Sequence, residues 1–126
     1  MADIYETTFE ALMDGTLDPA AFSHKHHLGV AYVALSRFDF FEALTKTANG
    51  IRELTVKAGA TNKFNATITF AFMSLIAERR LNDVFPSAEI FVERNPDLLD
   101  RATLAAIYQP ERLTSQMARE IPLLPL

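Results

Sequence analysis

Apolar positions recur along this chain at helical spacing. Ile4, Phe9, Leu12 and Met13 form a stripe over about Asp3 to Met13, which Asp14 and Gly15 then end. Ser23 can offer its hydroxyl to an orphan backbone N–H and predicts the N-cap of a second helix reaching about Ser36. Asp39 caps a third, in which Phe41, Leu44, Ala48, Ile51 and Leu54 recur, and Gly59 suits its end. Asn62 reads as the cap of a fourth helix extending to about Leu81, apolar on nearly every side between Phe64 and Ala77. A run of about 18 residues exceeds the usual strand, so helix is the better assignment. A helix apolar all round belongs in the middle of a bundle. Shorter helices are expected over Ser87 to Arg94, Leu98 to Tyr108 behind an Asp97 cap, and Glu111 to Arg119. No stretch alternates cleanly between apolar and polar, so no sheet is expected. The predicted fold is all-α, a single-domain bundle of about five to six helices around the buried helix at about 62–81.

Composition narrows the function classes. With 126 residues, 49% hydrophobic and 22% charged, the chain suits one globular domain with a proper core. It has no cysteine, which excludes disulfide scaffolds, thiolate metal sites and cysteine nucleophiles. Twelve basic against sixteen acidic residues give a net charge of −4, so no nucleic-acid partner is expected. The acidic start, Met1-Ala-Asp-Ile-Tyr-Glu6, lacks the basic and apolar regions of a secretory signal. The longest apolar stretch is about 14 residues and carries Asn65, Thr67, Thr69 and Ser74, short of the roughly 20 apolar residues of a membrane span. The expectation is a soluble cytoplasmic protein with no membrane partner. No phosphate-cradling Gly-rich loop, nucleotide or flavin motif, Gly-x-Ser-x-Gly elbow or Glu-x-x-His repeat is present.

The three histidines, His24, His26 and His27, fall within four residues. On a helix, His24 and His27 lie about 60° apart and share a face with Leu28, Ala31, Ala34 and Leu35. His26 falls on a flank, while Lys25, Gly29, Tyr32 and Ser36 are expected to face water. The helix dipole at the first turn disfavours imidazolium, so His24 and His27 are candidates for a base, hydrogen-bonding anchors, or ligands of a divalent transition metal. A structural role, bonding a loop carbonyl, stands beside these.

On the fourth helix, Lys63, Thr67, Ser74 and Glu78 lie within about 60° of one another, with Asn65 and Thr69 opposite. Hydroxyls in mid-helix commonly bond back to the preceding turn. Lys63 and Asn65, beside the free N–H groups of a helix start, suit an anionic or carbonyl-bearing ligand. Lys63, Asn65, Thr67 and His26 are therefore the candidate ligand-binding residues. The end of the sequence, Ile121-Pro-Leu-Leu-Pro-Leu126, has two prolines that forbid regular helix and four aliphatic side chains costly to leave in water. It is expected to pack into a groove of its own domain or to dock on another subunit as a homodimer.

Phe22-Ser-His-Lys-His-His-Leu28, Lys63-Phe-Asn-Ala-Thr-Ile-Thr69, Phe91-Val-Glu-Arg-Asn-Pro-Asp-Leu-Leu-Asp100 and Tyr108-Gln-Pro-Glu-Arg-Leu113 together resemble a family of small, uncharacterised bacterial all-helical proteins. The resemblance covers about residues 20 to 120. It implies no activity, but it implies that the starts of the second and fourth helices face each other across one pocket. That family carries an acidic residue where this chain has His26 and a His-Glu pair at Asn65 and Ala66. A metal held there by histidines and carboxylates would have lost two ligands in this chain. Three readings follow: a small-molecule pocket, with or without chemistry, using His24, His27, Lys63 and Asn65; a metal-binding protein through His24 and His27 with His26 or Glu78; or a homodimeric interaction module with structural histidines.

Overall fold

Side-chain caps set where the helices begin. In the computed structural model, which describes residues 3–126, Asp3 accepts from the Tyr5 N–H at 2.9 Å and Asp39 from the Glu42 N–H at 2.8 Å. Asn65 accepts from Ile68 at 2.9 Å and Ser87 from Ile90 at 3.2 Å. Each satisfies one of the orphan donors that a helix start exposes. The helices that follow are α1 (Ile4–Asp14), α2 (His24–Arg37), α3 (Phe40–Lys57), α4 (Ala66–Asn82) and α5 (Ala88–Arg94). Three short ones complete the chain: α6 (Ala102–Ala105), α7 (Pro110–Leu113) and α8 (Gln116–Glu120). No strand occurs among the described residues, and the fold is all-α.

The boundaries differ from expectation where local chemistry competes. The cap of α4 is Asn65, not Asn62. Thr61–Lys63 instead form a 3₁₀ turn, and Phe64 is extended, with its side chain buried. Asp97 caps nothing. It lies within a 3₁₀ turn, Pro96–Leu99, and takes both guanidinium nitrogens of Arg79 at 2.7 and 2.6 Å. That pairing holds the Asp97 carboxyl below the usual carboxylate range. Arg79 also bonds Asn95, which ties it to the fold. The helix expected over Leu98 to Tyr108 is thus broken to α6. The one expected over Glu111 to Arg119 divides at Thr114 and Ser115, the latter capping α8.

The most enclosed element is α2, in which Leu28 through Leu35 are all buried. It packs against α1, α3, α4 and α5. Gly29 and Tyr32, expected to face water, are therefore inside. Tyr5 of α1 covers Gly29, and the Tyr32 ring stacks on Phe91 of α5 at 4.7 Å. α4 runs beside α2 and buries Thr67, Ala71, Phe72, Met73 and Ile76. In α3 the buried face is Ala43, Thr47, Gly50, Ile51 and Leu54, while Phe41, read as part of its apolar stripe, is 75% exposed. Gly50 faces inward because Leu12 of α1 occupies the space that a side chain would need. Gly15, at φ 78°, ends α1 in the left-handed conformation that glycine adopts at least cost. No helix among the described residues is long and apolar enough to cross a membrane.

The C-terminal segment returns to its own domain. The Thr67 hydroxyl donates to the Ile121 carbonyl at 2.8 Å and accepts the Leu123 N–H at 2.9 Å. The Tyr108 hydroxyl donates to the Leu123 carbonyl at 2.9 Å, and the Leu123 side chain is buried. Ile121, Leu124 and Leu126 remain exposed.

Candidate functional site

Between the start of α2 and the start of α4 lies a cavity of about 510 Å³. Its inner walls are apolar: Leu28 and Ala31 from α2, Ile51 from α3, and Ile68, Phe72, Met73 and Ile76 from α4. The polar groups come from His24, His27, Thr47, Asn62, Asn65, Thr69 and Thr114, and the cations from Lys63, Arg101 and Arg119. No acidic residue lines it. The volume and the mix of apolar walls with a few polar groups are those of a small-molecule site.

The histidines divide into three environments. His26 lies outside the cavity lining. Its Nδ1 takes the backbone N–H of Ser23 at 3.1 Å and the Ser23 hydroxyl at 2.8 Å, closing the start of α2. This is a helix-capping position, and the ring packs edge-on against Tyr5. His24 lines the cavity, and its Nε2–H donates to the Leu98 carbonyl at 3.0 Å, which leaves Nδ1 outside that bond. The His27 ring makes no hydrogen bond to another described residue, although its backbone N–H donates to the Ser23 carbonyl at 3.1 Å. Its ring lies 4.4 Å from Phe22 and 6.0 Å from His24, centre to centre. Burial, aided by the positive fields of His24, Arg101 and His26, pushes its pKa down to about 4. His27 is therefore a neutral imidazole at pH 7.

The residues expected on α4 separate as well. Lys63 sits on the 3₁₀ turn before the helix, exposed to solvent while lining the cavity. Asn65 lines the cavity, but its oxygen caps α4 and its amide donates to the Leu113 carbonyl at 2.7 Å, so most of its bonding capacity serves the fold. Thr69 bonds back to the Asn65 carbonyl, as a mid-helix hydroxyl commonly does. Thr67 does not line the cavity; it clasps the C-terminal segment. Ser74 and Glu78 are exposed, and Glu78 lies about 20 Å along the helix from Asn65.

Three residues that the sequence did not single out complete the site. Arg101 and Arg119 come from the broken C-terminal helices, where no periodicity marks them. Thr47 lies on α3 and is 1% exposed, and its hydroxyl is the one buried side-chain polar atom among the described residues with no hydrogen-bond partner. A metal through His24 and His27 lacks the rest of its donor set, since no three His, Asp or Glu side chains among the described residues are placed to hold one ion. No known protein family matches this chain, and no curated protein or solved structure matches it either.

Proposed function

We propose that the protein binds a small molecule in the cavity between the starts of α2 and α4. The observation that carries this reading is the Thr47 hydroxyl. A buried, partnerless hydroxyl costs about 1–3 kcal/mol, and Thr47 is one of the residues around a cavity large enough to admit a ligand. His27 supports it, because a neutral ring with both nitrogens unclaimed by the chain can exchange a hydrogen bond with the ligand. His24, fixed through Leu98, would orient the ligand from the same helix turn, and Lys63 and Asn65 would meet its polar end.

The test is a titration with N-phenyl-1-naphthylamine, a neutral apolar fluorophore whose emission rises in dry surroundings. Saturable binding of one dye per chain is expected. It should be lost in Leu113→Trp, which fills the cavity from its half-buried wall, with helicity by circular dichroism retained. Dye uptake that never saturates, or that Leu113→Trp leaves intact, overturns the reading.

A further inference from the structure

We infer that the ligand is an amphipathic organic anion, with an acidic head at Lys63, Arg101 and Arg119 and an apolar body against α4. This rests on the pocket reading above and adds the ligand class. The three cations come from separate places in the chain: the 3₁₀ turn before α4, the residue preceding α6, and α8. None makes an ion pair among the described residues, whereas Arg37 and Arg79 are both matched to carboxylates. Exposed cations are usually just solvated, and one alone would mean nothing. Here three of them line one cavity without a single carboxylate, in a chain whose net charge is −4.

The interior decides what kind of anion. Phe72, Met73 and Ile76 offer surface that gains from an apolar body, at roughly 25 cal/mol per Å² buried. A polyanion with a polar sugar would bury hydroxyls with few partners, and a cation would meet three like charges. Thr47, whose hydroxyl has no partner, belongs to the same lining. A carboxylate and a phosphate monoester share this chemistry.

The full chain, loaded with N-phenyl-1-naphthylamine, is titrated with four eight-carbon competitors: octanoate, octyl phosphate, octanol and octylammonium. Octanoate or octyl phosphate should displace the dye at a concentration at least tenfold below octanol, with octylammonium weakest, and the stronger of the two anions identifies the head group. The anion advantage should shrink in added salt. It should also vanish in the triple variant Lys63→Gln, Arg101→Gln, Arg119→Gln, judged against octanol in that same variant. Octanol matching both anions, octylammonium winning, or a triple variant that keeps the advantage would overturn the anion class while the pocket reading stands. If the dye itself never saturates, the pocket reading fails. Calorimetry with octanoate and octyl phosphate then tests the anion directly, and no binding of either overturns it too.

Discussion

The ring of Tyr5 in α1 lies directly on the α-carbon of Gly29 in α2, so a methyl group added at position 29 would overlap the ring carbons. Leu12 does the same at Gly50 of α3, with its Cγ 2.8 Å from where a Cβ would stand. Two glycine notches thus seat α1 across the other two helices. Gly29→Ala should destabilise the protein by about 1–3 kcal/mol, although alanine favours helix by up to about 1 kcal/mol. In a Tyr5→Ala background the same change should be neutral or stabilising. Urea unfolding of the four proteins checks the coupling.

His27 predicts a pH dependence. Its folded-state pKa of about 4 lies below the ordinary 6.5, so between those values the unfolded chain binds a proton that the folded chain refuses. Its contribution to stability is complete above pH 6.5 and is lost as the pH falls toward 4. The loss should be of order 1–3 kcal/mol, reduced by water reaching a ring that lines a cavity. His27→Gln should flatten the stability profile over that window relative to the wild type. Equal slopes in the two proteins would refute the assignment.

Thr47 separates folding from binding. Thr47→Val keeps the shape and removes the partnerless hydroxyl, so the free protein should be as stable or up to about 1 kcal/mol more stable by denaturant unfolding. A loss of more than 1 kcal/mol would mean that the hydroxyl is satisfied in the folded state.

The Thr67 clasp predicts local protection. Thr67→Val removes the acceptor of the Leu123 N–H and the donor to the Ile121 carbonyl. Amide exchange at Leu123 should accelerate at least tenfold, and stability should fall by about 1–3 kcal/mol. Tyr108→Phe, which deletes one bond to the Leu123 carbonyl, should show a smaller effect in the same direction.

Much of the fold was legible because capping is local chemistry. Ser23 and Asp39 cap where the sequence places them, and Asp3 and Ser87, read as first helical residues, are caps whose side chains meet backbone N–H groups two or three residues on. Asn62 misled because Asn65 carries the same side chain three residues later, and the burial of Phe64 and the bond from Asn65 to Leu113, both tertiary, go with the second of them. Gly29 and Tyr32 misled for a different reason: a helix covered on all sides has no polar face to read. In the site, His24 and His27 follow from helical spacing alone. Thr67 does not, since its partners are 54 and 56 residues away. Arg101 and Arg119 have no local signature, because what makes them neighbours of His27 and Lys63 is how α6 and α8 fold back.

The bonds from Asn65 to Leu113 and from Thr67 to Ile121 and Leu123 all reach the C-terminal segment from the first turn of α4. The residues from 101 onward supply Arg101, Leu113, Thr114 and Arg119 to the cavity, alongside those from α2, α3 and α4. They too are anchored: Leu104 and Tyr108 belong to the same buried core as α2 and α3, and Ala118 of α8 is fully buried. A cavity held on all sides is shaped before anything enters it, so a ligand would lose little of its binding free energy to ordering the protein around it.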